Sequence, residues 1–291
     1  MPDKIKVTAY TDPSGVPCVR ISGLEHFSAS DIFECGQCFR FSRTAGGRWG
    51  GVAHGRYIEV EEQGGDVVIV NTSLEDYYNI WRGYFSIEED YAGIIGELSG
   101  DAVLRSAIAS CPGLRILRQE PFEALISFII SQNNNIPRIT KIIASLCENF
   151  GVKITFYGSA HYTFPTPQRL AAHGVADLAP IRAGFRAKYI LDAAVKVANN
   201  IIDLGAVYNM GVVDGIKYLS GICGVGPKVA SCVLLFAYGK LDAFPVDVWV
   251  GRIMEKYYPQ RPPGDHGFGR YAGVAGEYLY YYERMTAGKS G

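Results

Sequence analysis

The stretch Leu219–Trp249 reads LSGICGVGPKVASCVLLFAYGKLDAFPVDVW, and sets a glycine turn, a lysine opening one helix and an aspartate opening the next within one short segment. Gly224-Val225-Gly226 lets the backbone turn tightly and approach a phosphate. Pro227 then suits the first turn of a helix, where its missing N–H is no loss. The helix N-terminus so formed can hold an anion through its free N–H groups. Val229, Cys232, Val233 and Phe236 follow at i, i+3, i+4 and i+7, which predicts one buried helix face. Lys228 stands in the first turn of that helix. Lysine starts from a pKa of about 10.4, and burial near a positive helix end can bring a catalytic lysine to roughly 7–8, so an acidified amine is expected. Asp247 follows Pro245-Val246 and precedes Val248, Val250 and Ile253, and is expected to cap a second helix with its carboxylate toward the free N–H groups. A carboxylate so held stays ionised and can face a developing cation.

A length of 291 residues and 48% hydrophobic content predict about two buried cores. The N-terminal MPDKIKVTAYTDPSG has neither an apolar signal core nor an Arg-rich amphipathic character, and no apolar run approaches a membrane span. A cytoplasmic protein without a secretion signal is expected. Seven scattered cysteines fit a reducing compartment. Cys35-Gly36-Gln37-Cys38 has C-x-x-C spacing, but no second pair or histidine lies nearby, and the five histidines show no ligand spacing, so no metal site is expected. The chain holds 28 Lys+Arg against 29 Asp+Glu. The first hundred residues carry 8 against 15 and the remainder 20 against 14, so the basic part is the part with the hairpin. The excess is modest and predicts few phosphate contacts, with backbone N–H groups making some of them.

β-type runs at 6–10, 18–21, 49–53, 56–61 and 66–70, broken by Gly-rich turns, predict an antiparallel sheet. Helical patterns follow at 74–85 and 88–98, then at 122–131, 136–150, 185–202, 212–219, 227–238, 246–258 and 268–284. The expected class is α+β, with an N-terminal antiparallel sheet domain over 1–105 and a helical domain over 106–291. No internal repeat or low-complexity tract is present.

The hairpin, Lys228 and Asp247 resemble the signature of the helix-hairpin-helix glycosylase superfamily, and Lys228 matches its bifunctional branch. Further segments resemble the eukaryotic-type 8-oxoguanine DNA glycosylases, and extend the resemblance over most of the chain. Gly36-Gln37-Cys38-Phe39-Arg40 is similar to a segment whose glycine carbonyl accepts the N7–H that 8-oxoguanine has and guanine lacks. Gln132-Asn133-Asn134-Asn135-Ile136-Pro137-Arg138 is similar to the run that fills the gap left by an extruded base, although asparagines also cap loops and helices. By resemblance Asn133 fills the gap and Arg138 reads the orphaned partner base. Gly184-Phe185-Arg186-Ala187-Lys188-Tyr189 makes Phe185 a wedge, unless it is plain core, and Arg186 a second reader of the opposite cytosine. The resemblance implies a TBP-like sheet lobe, and a base pocket in which Cys232, Tyr280 and Phe236 join Gly36. No cysteine follows Cys232, which excludes the iron–sulfur module of endonuclease III-type relatives.

Three positions depart from the pattern. Gly276 stands where the family carries glutamine, Tyr280 where it carries phenylalanine, and Trp249 where the eukaryotic members carry histidine. Loss of the glutamine removes contacts to the Watson–Crick edge, for which Glu277 is a substitute polar group. The resemblance implies a monomeric DNA glycosylase and AP lyase that flips 8-oxoguanine out of double-stranded DNA opposite cytosine. Gly224, Val225 and Gly226 would hold phosphate, and no cofactor is required beyond a monovalent cation that the hairpin carbonyls could hold. A sister glycosylase for oxidised pyrimidines is disfavoured by the missing cysteines, and one for alkylated purines by Lys228. A non-catalytic hairpin module needs neither Lys228 nor Asp247.

Overall fold

Apolar alternation builds the first lobe in the computed structural model, which describes residues 5–262 and 266–287. Strands β1 (Lys6–Thr11), β2 (Pro17–Ser22), β3 (Phe41–Arg43), β4 (Trp49–Ala53), β5 (Arg56–Gln63) and β6 (Asp66–Val70) form one antiparallel sheet in the order β1-β2-β6-β5-β4-β3. Val19, Ile21, Ile58, Val60, Val67 and Ile69 lie on one face, and pack on Ile32 and Phe33 of a short helix (Ala29–Glu34) and on Trp81, Tyr84 and Phe85. Fully burying each such side chain contributes roughly 1.5–3 kcal/mol before entropy is counted. The opposite face buries a smaller group, Val16, Cys18, Val68 and Val70, beneath Phe156.

The expected helix over 74–85 is interrupted. Leu74–Asp76 and Arg82–Tyr84 are α-helical, with a π-helical turn, Tyr77–Trp81, between them. Trp81 is fully buried and donates its indole N–H to Thr72 Oγ1 at 2.7 Å, so packing of the large ring sets the local geometry.

Helices Tyr91–Leu98 and Ala102–Ser110 pack into a second hydrophobic cluster together with all the later helices. At its centre runs Pro227–Tyr238, in which every residue from Val229 onward is buried. The single buried face expected from sequence is therefore incomplete. Helices Pro121–Ser131, Val212–Leu219 and Ala272–Ala287 surround it, so apolar residues on all sides are covered. Helix Ile136–Phe150 begins at the Asn135 cap, Ala187–Ala198 follows a 3₁₀ turn at Gly184–Arg186, and Val248–Tyr257 begins after Asp247. A hairpin, β7 (Lys153–Phe156) and β8 (Ser159–Tyr162), reaches back to the first lobe, where His161 stacks on Tyr57 at 3.8 Å. Cys35 and Phe39, although from the first lobe's sequence, belong to the helical cluster. That crossing brings residue 36 against the C-terminal helix.

Candidate active site

The Gly224-Val225-Gly226 turn has the conformation its residues suggest. Gly224 holds φ +80°, and a Cβ there would stand 2.5 Å from the Tyr189 ring, so this backbone needs glycine on both counts. Val225 is buried and donates its N–H to Ile222 O at 3.0 Å, while Gly226 is the N-cap of Pro227–Tyr238 and is exposed. Cys223 N–H bonds to Asp192 Oδ2 at 2.7 Å, and the Lys196 ammonium donates to Gly221 O at 2.8 Å. The turn is thus fixed from behind, with a helix N-terminus at the surface in front.

Lys228 is the second residue of that helix, half-buried, with Nζ 5.6 Å from the centroid of the Phe128 ring. Cys232 and Phe236 continue the same face inward, and Phe236 stacks on Phe128 at 5.3 Å. Asp247 caps Val248–Tyr257 as expected. Its Oδ1 accepts from Trp249 N–H and Val250 N–H, both at 2.9 Å. Lys228 and Asp247 open onto one cavity of about 400 Å³, a volume suited to a small ring system. Gly36, Cys232, Phe236, Glu277 and Tyr280 share its walls.

The acidified lysine expected from sequence is not found. Burial lowers the Lys228 pKa, but the Cys232 sulfur and the Asp247 carboxylate outweigh it, and the amine titrates above the ordinary lysine value. Cys232 itself is pushed up to about 11 by burial against the pull of Lys228. Across the cavity Glu277 is raised to about 7 by burial, offset by the Cys35 thiol and the Arg284 guanidinium.

Gly36 holds φ +107°, and a Cβ there would meet Arg284 Nη1 at 3.1 Å. Its strand-side neighbour Gln37 is fully buried and clamps the segment. Gln37 Nε2 donates to Arg115 O at 2.8 Å and to Ile32 O at 3.1 Å, and Gln37 Oε1 accepts from Leu117 N–H at 2.8 Å. Arg284 donates to Cys35 O at 3.0 Å from the other side. Cys35 and Cys38 are both buried, with thiols held well above the usual range by burial.

The asparagine run divides by role. Asn135 Oδ1 accepts from Arg138 N–H at 3.0 Å as a helix cap, and Asn134 Nδ2 donates to Ile130 O at 3.1 Å. Asn133 alone is exposed with positive φ, +47°, and Arg138 is also exposed. Phe185 is 50% exposed, which settles it as a surface ring rather than core, and it lies beneath the Arg186 guanidinium at 4.5 Å. Arg186 is buried. Its Nε donates to Gln132 O at 2.9 Å, Nη1 to Ala183 O at 3.2 Å, and Nη2 to Gln132 O and, at 3.0 Å, to Asn133 O. One exposed patch therefore carries Asn133, Arg138 and Phe185 beside the cavity.

The family model of the 8-oxoguanine DNA glycosylase N-terminal domain matches residues 20–125, and that of the HhH-GPD superfamily base excision DNA repair proteins matches residues 126–266. The chain belongs to the 8-oxoguanine DNA glycosylase family. This glycosylase is similar to the Clostridium acetobutylicum 8-oxoguanine glycosylase/lyase, whose structure was solved with double-stranded DNA containing cytosine opposite 8-oxoguanine. The two are 38% identical with a TM-score of 0.91, over 97% of this chain and 98% of that one. A Methanothermobacter thermautotrophicus protein named a probable N-glycosylase/DNA lyase is 33% identical over 71% of this chain and 72% of its own length. The Saccharomyces cerevisiae N-glycosylase/DNA lyase is 42% identical over 50% of this chain, a match that spans 42% of the yeast protein.

The departure at Gly276 has a local cause in this glycosylase. At Gly276 a Cβ would stand 2.9 Å from the Phe244 ring, so the packing of Ala272–Ala287 on that ring leaves no space for a glutamine. Trp249 lies in the turn capped by Asp247, 41% exposed, at the rim of the cavity. Sequence reasoning missed the Arg40–Glu123 ion pair, 3.0 Å apart and buried, which ties the Gly36 segment to helix Pro121–Ser131. It also missed Tyr189 as the ring behind Gly224. A signal for the ion pair was available only as an arginine beside a buried aromatic, which is too common to single out.

Proposed function

We propose that this glycosylase excises 8-oxoguanine opposite cytosine from double-stranded DNA and nicks the resulting abasic strand. The observation that carries the reading is the shared cavity. A lysine amine and a helix-capping aspartate face a space of about 400 Å³ beside a glycine whose carbonyl can accept N7–H. The hairpin and helix N-terminus would hold the backbone of the damaged strand, Asn133 and Phe185 would occupy the vacated stack, and Arg138, with Arg186 behind it, would read the cytosine.

With the base between Cys232 and Tyr280, Lys228 in its neutral form attacks C1′. The C1′–N9 bond breaks and its electron pair leaves with the base, which takes up a proton. Asp247 stabilises the positive charge that develops on the sugar. The aminal opens to a Schiff base, and loss of a C2′ proton expels the 3′ phosphate oxygen. The hairpin fits a monovalent cation only in part, because Gly221 O accepts the Lys196 ammonium and Ile222 O accepts Val225 N–H. No step depends on that ion. A cytoplasmic, nucleoid-associated location belongs to the same proposal, supported by seven free thiols and a DNA substrate.

The test is cleavage of end-labelled duplexes with 8-oxoguanine opposite each base, with and without borohydride. Cutting and trapping that prefer the cytosine pair, and vanish in Lys228→Gln, support the reading. Trapping by the Lys228→Gln protein would sink the lysine assignment.

A further inference from the structure

Of three consecutive carbonyls at the cavity wall, the outer two are occupied and the middle one is free. Cys35 O accepts from Arg284 Nη1 at 3.0 Å, and Arg284 Nη2 donates to Glu34 O just before it. Gln37 O accepts from Gln119 Nε2 at 2.7 Å. Gly36 O has no donor among the described residues, and Gly36 is the one of the three that lines the cavity. Its own chemistry does not fix that carbonyl. Gly36 sits at φ +107°, and glycine lets the adjoining peptides turn more freely than any other residue. A group that must meet one N–H of a ligand gains most when its direction is set before the ligand arrives.

Both donors come from far along the chain, and from elements that build the rest of the cavity. Arg284 follows Tyr280 by one turn of Ala272–Ala287, and its guanidinium carbon lies 5.7 Å from the Tyr280 ring centroid and 5.2 Å from that of Tyr281. Gln119 is buried, and its own N–H donates at 2.7 Å to the carbonyl of Phe236, on the helix that carries Lys228. Arg284 thus ties the Gly36 loop to the helix of Tyr280, and Gln119 ties it to the helix of the lysine.

We propose that Arg284 and Gln119 are positioning residues for damage recognition. By occupying the carbonyls on either side, they aim the free one, Gly36 O, at the N7–H of the extruded base. The inference rests on the reading of the cavity as an 8-oxoguanine pocket. Neither side chain needs to touch the base. Half a turn of the Gly36–Gln37 peptide would put the Gln37 N–H where the carbonyl stands. That arrangement offers a donor to N7, which suits undamaged guanine and opposes the N7–H of 8-oxoguanine. Holding the loop from both sides keeps the peptide in the orientation that selects the lesion.

The experiment measures, in one preparation of each protein, single-turnover excision of 8-oxoguanine opposite cytosine and cleavage of a preformed abasic site, which has no base to recognise. Wild type, Arg284→Met and Gln119→Met are compared. Methionine keeps much of each side chain's packing and removes its donors. The ratio of the two rates is insensitive to the fraction folded, and a purely structural role lowers both rates together. In each variant the ratio of base excision to abasic cleavage should fall about tenfold or more, as expected when a recognition contact is misplaced. A wild-type ratio in either variant would overturn the proposal. A wild-type protein that cleaves abasic sites and leaves 8-oxoguanine in place would overturn the pocket reading, and the proposal with it.

Discussion

The Arg186 guanidinium donates to the Asn133 carbonyl at 3.0 Å, and holds Asn133 in the left-handed region at φ +47°. The arginine read from sequence as a contact to DNA is therefore first a support for the residue proposed to enter the duplex. Arg186→Ala would leave the carbonyls of Gln132, Ala183 and Asn133 without their donor, at a cost on the order of 3 kcal/mol. A fall in the urea midpoint with loss of cytosine preference is expected. Asn133→Gly accepts the same φ, so it should melt like wild type while affinity for the lesion duplex drops roughly tenfold.

Asp247 caps a helix and is proposed to stabilise the sugar cation, two duties that substitution can separate. Asp247→Asn keeps an Oδ1 for the cap and removes the charge, so thermal stability should hold while single-turnover excision falls on the order of 10²-fold. Asp247→Ala should lose both, with about 1 kcal/mol from the missing cap. Equal melting losses in the two variants would contradict this division.

The raised Lys228 pKa predicts a pH dependence for the attack proposed for it. Only the neutral amine reacts, and its fraction grows with pH as long as the pH lies below the pKa. Single-turnover excision should climb steadily from neutral to mildly alkaline pH, without the plateau near pH 8 that an acidified amine would give. A flat profile across that range would show that the lysine has already lost its proton in the reacting complex.

Glu277 makes stability itself pH-dependent. Its folded pKa, about 7, lies above the ordinary carboxylate value of 4.5, so the folded state binds the proton more tightly than the unfolded one. The stabilisation is present in full below about pH 4.5 and is lost as pH rises through 7. Glu277→Gln should therefore differ little from wild type at pH 5, and be more stable at pH 8 by up to a few kcal/mol, read from paired melting curves.

The two hairpin glycines are expected to respond differently to alanine. Gly224→Ala meets the Tyr189 ring at 2.5 Å with φ +80°, and should lower both melting temperature and DNA affinity. Gly226 has open space around its Cβ position and an extended backbone, so Gly226→Ala should fold normally.

Much of this was legible from local chemistry. The Asp247 cap, the Pro227 start and the Gly224 turn depend on neighbours a few residues away, and the sheet on alternation within each strand. The short strand Phe41–Arg43 was missed because three residues carry no period, and hairpin β7–β8 because its turn at Tyr157-Gly158 flanks two weakly patterned strands. The π-turn at Tyr77–Trp81 follows from where Trp81 must pack, not from helix propensity. The burial of Arg186 and the lysine's raised pKa were equally hidden, since the first depends on carbonyls more than 50 residues away and the second on charges gathered by folding.

Arg284, on the last helix, donates to the carbonyls of Glu34 and Cys35, near the chain's beginning. A polypeptide halted on the ribosome before Ala272 would already carry Lys228, Asp247 and the Gly224-Val225-Gly226 turn. It would lack the wall that Glu277 and Tyr280 supply. One wall of the cavity, Gly36, is made first, and the wall that faces it is made last.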